Sequence, residues 1–111
     1  MGLTVYLTAH DADGNEFDAF DAGITHNLGR MASEAGLYEA VWVPENHGYR
    51  TARDLIDALD AGLARLEAFP DYFMQFNAPN GWGVYYDLIE FLRKYIAACR
   101  KYPSAVITAS R

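Results

Sequence analysis

Cysteine, basic charge and long apolar runs are what this chain has little of. With one cysteine, Cys99, there is no internal disulfide to form. Its place in the apolar pattern of the last helical run marks it as a small buried hydrophobe and not as a catalytic thiol. A reducing, cytoplasmic setting fits that usage. No apolar stretch reaches the roughly 20 residues that cross a bilayer, and no basic segment precedes the first strand-like run. Neither a membrane partner nor a signal peptide is therefore expected. Nine Lys and Arg stand against 15 Asp and Glu, for a formal net charge of −6. A nucleic-acid backbone wants a basic face, so nucleic acid is not an expected partner. A basic protein, or a small anion at a local arginine cluster, remains compatible with that charge.

Catalytic signatures are missing as well. There is no Gly-x-Gly-x-x-Gly or Walker sequence, and no Ser-His-Asp or Cys-His pattern; Ser33 and Cys99 lie in or beside helical stripes without a glycine-bracketed elbow. His10, His26 and His47, even with Asp11 or Asp13, match no local metal-ligand spacing. Paired carboxylates do acid–base work only where burial or proximity separates their pKa values, and the pattern gives no sign of that. No metal, no cofactor and no catalytic residue is expected.

What is present is a chain of 111 residues, 51% of them hydrophobic. That suits one compact domain, 1–111, with a core that needs no staples. Residues 3–8 alternate Leu3, Val5 and Leu7 against Thr4, Tyr6 and Thr8, a period-two strand. Residues 9–21, with Asp13-Gly14 and a loose group of acids, read as a solvated loop or hairpin tip tacked down by Phe17 and Phe20. Ile24, Leu28, Met31, Ala32 and Ala35 make a helical stripe that Thr25 or Asn27 starts and Gly36 ends. Residues 37–43 are β-branched and aromatic enough for a short strand ended by Pro44. Thr51 and Asp54 form a capping box for a helix striped by Leu55, Leu59, Leu63 and Leu66, with Gly62 on the same face. Pro70 opens a short turn of helix. Tyr85, Leu88, Leu92, Tyr95, Ile96 and Cys99 stripe another helix, stopped by Pro103, and residues 105–110 close the chain as a strand. The fold class is α+β: a small sheet of two to three strands, from both chain ends and a short middle strand, covered by three helices.

The most distinctive stretch is Asn77-Ala78-Pro79-Asn80-Gly81-Trp82-Gly83. Gly81 suits a positive-φ turn, and Gly83 lets the backbone pass close to another element or to a ligand. Trp82 has two readings, a plug in the core or the wall of a recess that stacks on a planar ligand. Three helix starts, at 25–27, 49–53 and 81–85, offer unpaired N–H groups that favour an anion. If two converge, Arg50 or Arg53 would neutralise a phosphate while Trp82 or Tyr86 stacks on a base. Thr25, His26, Asn27, Arg50, Arg53, Asn77, Asn80, Trp82 and Tyr86 are the candidate ligand-binding residues. The plainer account makes Thr25 and Thr51 helix caps, the asparagines turn residues and the arginines solvated.

Thr25-His26-Asn27-Leu28 with Met31, the Asn77-x-Pro79-Asn80-Gly81-Trp82-Gly83 block followed by Tyr86, and Tyr95-x-x-Ala98-Cys99-x-x-x-Pro103 resemble a family of small proteins of tailed phages and prophages. The resemblance covers nearly the whole chain and implies a phage setting, hence the cytoplasm of a host, while leaving the chemistry open. Four functions follow as expectations. The first is a binding module that sequesters a nucleotide-like signal of host defence. The second is an acidic inhibitor of a host effector protein. The third is a small-metabolite enzyme, and the fourth an assembly accessory protein that forms a homo-oligomer.

Overall fold

A computed structural model of the chain describes residues 2–111. It is α+β, with a three-stranded antiparallel sheet carrying helices on one face. The strands are β1 (Gly2–His10), β2 (Glu16–Thr25) and β3 (Val106–Ser110). The helices are α1 (Gly29–Glu34), α2 (Tyr38–Trp42), α3 (Ala52–Ala68), α4 (Pro70–Met74) and α5 (Tyr85–Lys101). Short 3-10 turns at His26–Leu28 and Pro44–His47 join them.

The alternation in β1 does what its pattern requires. Leu3, Val5, Leu7 and Ala9 are buried toward the helices, while Thr4, Tyr6 and Thr8 face the other side. β1 is the centre of the order β2-β1-β3, so the two chain ends pair, Val5 opposite Ala109 and Leu7 opposite Ile107.

The acidic run expected as a loop is in fact mostly strand. Only the segment between β1 and β2 turns, where Asp11 Oδ1 accepts from the N–H groups of Asp13 and Asn15 at 2.9 Å each. The reason the strand was hidden is a bulge. Leu7 pairs with Phe20 but Thr8 pairs with Asp18, which leaves Ala19 as the extra residue. The inward residues Phe17, Phe20, Ala22 and Ile24 therefore step by three and then by two, and the period-two signal breaks.

A second correction falls on residues 37–43. They form no strand; Tyr38–Trp42 is a turn of α-helix, and Leu37, Ala40 and Val41 bury on one side at helical spacing. The third strand of the sheet is β2 instead. Gly36 ends α1 with φ 75°, as its position before an apolar residue requires.

The long helices follow their stripes. In α3, Asp54 Oδ2 accepts from the backbone N–H of Arg50 at 3.0 Å and Thr51 at 3.1 Å, and these bonds hold the Asp54 carboxyl below the usual carboxylate range. Leu55, Leu59 and Leu66 are buried completely. Gly62 shares that face because Leu37 occupies the space where its Cβ would stand. In α5, Tyr95 is fully buried, stacked on Phe20 of β2 with centroids 5.6 Å apart and planes 9° from parallel. Its hydroxyl finds no hydrogen-bond partner among the described residues, and burial pushes its pKa up. Cys99, one turn on, is buried too, its thiol pushed up to about 12, which makes it an unreactive thiol.

Two stability predictions follow from this packing. Gly62→Ala improves helix propensity by up to about 1 kcal/mol but drives a methyl into the fully buried side chain of Leu37. Urea melts should show a net loss of about 1–2 kcal/mol, within the usual range for overpacking; a stabilised variant would contradict the contact. Tyr95→Phe removes an unpaired buried hydroxyl and keeps the ring stack. It should be neutral or stabilising by about 1 kcal/mol, where an ordinary buried hydrogen bond would have made it destabilising.

Candidate functional site

The two most distinctive sequence blocks lie against one another. Gly83 is buried, at φ 113°, and a Cβ there would come within 2.9 Å of Thr25 Cγ2, 3.1 Å of Asn27 Cβ and 3.3 Å of Leu28 Cγ. Asn27 Nδ2 donates to the Trp82 carbonyl at 2.8 Å. Thr25 Oγ1 accepts from the Asn27 N–H at 3.3 Å and caps the 3-10 turn. Two of the three helix starts thus converge.

The loop itself is held at nearly every residue. Ala78 N–H donates to the Gly83 carbonyl and Gly81 N–H to the Ala78 carbonyl, both at 3.0 Å. Asn80 Oδ1 accepts from the Trp82 N–H at 3.0 Å, and Asn77 Oδ1 from the Tyr85 N–H at 2.7 Å. Asp87 Oδ2 accepts from the Val84 N–H at 3.1 Å, closing the first turn of α5. Asn77 and Asn80 are therefore occupied with backbone. Gly81 adopts φ 78°, the left-handed region a side chain resists.

Trp82 is not the core plug that one reading of the sequence allowed. The residue is 73% exposed, so it plugs no core, and it does not border the groove described below. Tyr86 is 67% exposed on the first turn of α5 and shares a hollow of about 280 Å3 with Pro70 and Arg93. Phe69 and Tyr72, beside and within α4, are exposed as well. Four large rings, on the Trp82 loop, α4 and the start of α5, are thus open to solvent, and they are called the aromatic corner below.

The arginines are elsewhere. Arg53 Nε donates to the Pro103 carbonyl at 3.3 Å, beyond the far end of α5, and the Arg50 carbonyl accepts from Ile107 of β3 at 3.0 Å. With 17 residues, α5 spans roughly 25 Å. That length separates Arg50 and Arg53 from Trp82, so the convergence of arginine and indole expected for a phosphate does not occur.

His26 is also committed. Its Nδ1 accepts from the indole N–H of Trp42 at 2.9 Å, which occupies that ring nitrogen within the fold. Trp42 is the buried tryptophan, stacked on Tyr38 at 5.4 Å, and its carbonyl accepts from Arg111 at 2.7 Å. Nothing in the spacing pointed to this partnership beyond an apolar setting for Trp42. Among the described residues no group of three or more His, Cys, Asp or Glu gathers as a metal would need.

Sequence reasoning missed a groove of about 490 Å3 between β2 and α5. Phe20, Ala22 and Ile24 of β2, with Phe91 of α5, give it an apolar floor. Asp21, Asp87 and Glu90 border it against one cation, Lys94. That cation is already paired with Glu90 at 2.8 Å, which holds the Glu90 carboxyl below its ordinary value. Thr25 and Leu28 form the end of the groove where the Trp82 loop docks. The signal was present in Phe20, Ala22 and Ile24, but the bulge at Ala19 masked it.

No family model matches the chain, and neither does any curated protein or solved structure.

The contrast between the two tryptophans is measurable. In Trp82→Phe the remaining emission comes from Trp42, and it should be blue-shifted and several-fold less quenched by acrylamide than that of the unmodified chain. Equal quenching in both proteins would mean that the indole at 82 is covered.

Proposed function

We propose that the chain is a binding protein that acts by holding another protein, with the aromatic corner as its contact surface. One observation carries this reading: the Trp82 ring stands open to solvent on a loop whose backbone is fixed by hydrogen bonds on both sides. Large rings on fixed backbone make strong anchors, because little freedom is lost when a partner closes over them. Tyr86 on the first turn of α5, and Tyr72 and Phe69 at α4, are exposed rings as well. In the phage setting that the sequence resemblance implies, the partner class is a host protein, and the activity is inhibition by occupation.

Sequestration of a nucleotide-like ligand is the second reading. It is favoured by the convergence of the helix starts at 25–27 and 81–85 beside an open indole. It is weakened by the placement of Arg50 and Arg53 and by the carboxylates that border the neighbouring groove.

A photo-crosslinking residue placed at 82 separates the two. Expressed in the host, the chain should yield a discrete protein adduct from position 82 and none from position 57 on exposed α3. Its melting temperature should not move with cyclic or ADP-ribose-type nucleotides. Absence of any adduct, together with a nucleotide shift of several degrees, would replace the first reading by the second.

A further inference from the structure

We infer that the groove between β2 and α5 receives an extended, basic segment of a partner protein, which adds to the sheet as a fourth strand beside β2. The inference rests on the reading of the chain as a protein-binding protein, but it concerns a different surface and names the chemistry of what binds.

The two edges of the sheet are treated differently. The outer edge of β3 is partly covered, since Thr51 bridges to Val106 and Ile107 N–H donates to the Arg50 carbonyl. The outer edge of β2 has no such cover: among the described residues no hydrogen bond from outside the sheet reaches residues 17–24. Every second residue there points its N–H and C=O outward, a template for another strand. Residues 20–25 line the groove, and six residues of strand run about 20 Å, enough to align a partner segment of equal length.

Strand pairing supplies affinity and the groove supplies selection. Side chains of an added strand that turn toward α5 meet Phe20, Phe91 and then the carboxylates of Asp87 and Glu90. Those that turn the other way pass Asp21. Three carboxylates against one paired ammonium attract lysine and arginine and repel phosphates and acidic chains. The same charges decide against a second copy of this chain, because its β2 would bring Glu16, Asp18 and Asp21 to an edge that already carries the same acids. A basic, alternating segment of another protein is the occupant that charge and geometry both accept.

The test uses the full chain and a fluorescein-labelled Lys-Val-Lys-Val-Arg-Val peptide, with amide hydrogen exchange read along β2. The expected result is saturable binding that slows exchange of alternate amides in residues 18–24 by about tenfold or more, as new strand hydrogen bonds require. The same peptide methylated on alternate backbone nitrogens should bind roughly tenfold more weakly. A Glu-Val-Glu-Val-Glu-Val peptide should not bind, and Glu90→Lys should weaken the basic peptide while lowering the melting temperature by only a few degrees, the loss expected from one exposed i,i+4 pair. Absence of binding overturns the proposal. So does binding that leaves the β2 amides unprotected or that tolerates methylation, since that is diffuse attraction to an acidic surface. If groove protection fails while crosslinks at 82 persist, this inference falls and the aromatic corner stands; the reverse pattern removes the corner and keeps the groove.

Discussion

The backbone at Gly83 runs so close to Thr25, Asn27 and Leu28 that no side chain fits between them. That contact locks the start of α5 to the end of β2. Because α5 also lies under β2 through the Phe20–Tyr95 stack, the strand edge and the helix are fixed relative to each other at two points. A groove with set walls is the consequence. The contact also has a second effect: with Asn27 holding the Trp82 carbonyl and Asn80 its N–H, the indole has nowhere to go but outward. Glycine at 83 thus governs the groove's closed end and the corner's exposed ring alike.

Charge is distributed to match. The arginines that a phosphate site would need are spent on the protein's own carbonyls: Arg53 on Pro103, Arg65 on Ala35 and Arg111 on Trp42. Arg111 also pairs with Glu45 at 2.7 Å, and the Glu45 carboxyl is lowered by its backbone hydrogen bond first and by this arginine second. Such exposed pairs contribute little stability each, but they leave few cations free to neutralise the acids along β2 and the first turns of α5. The negative border of the groove is what remains.

Much of this was legible in the sequence, and the failures have physical causes. The α+β class, the pairing of the chain ends, and α3 and α5 with their stripes followed from periodicity, because each is long enough for period to beat noise. The roles of Gly81 and Gly83 were legible too, since only a turn and a close approach demand glycines so placed. β2 was not, because one bulged residue shifts the alternation and the outward acids imitate a loop. Residues 37–43 misled through composition: Val41, Trp42 and Val43 favour strands, yet a single helical turn needs no propensity once Leu37, Ala40 and Val41 find the core. For the site, Asn77 and Asn80 were named as candidate ligand contacts with a turn role as the plainer account, and their Oδ1 atoms accept from the backbone of the loop; Arg50 and Arg53 could not be placed. Which end of α5 they approach depends on how α3 docks, and α3 is anchored at its start through the Ala52 N–H to the Ala105 carbonyl, a contact across 53 residues of chain.

The floor of the groove and the hydrophobic core are continuous, and this bears on how the surface can bind. Ile24 and Phe91 are buried core residues as well as lining, and Phe20 packs directly on fully buried Tyr95. The free energy that folds the protein therefore also shapes the groove, so a partner segment pays for its own ordering but not for that of its receptor. The unpaired Tyr95 hydroxyl fits the same view. A buried donor without a partner is costly, and here it is tolerated because its ring, stacked on Phe20 and edge-on to Phe91 at 5.6 Å, joins β2 to α5. Packing, not polar bonding, holds the two walls apart at a fixed spacing, and a strand edge kept open by packing is available to pair.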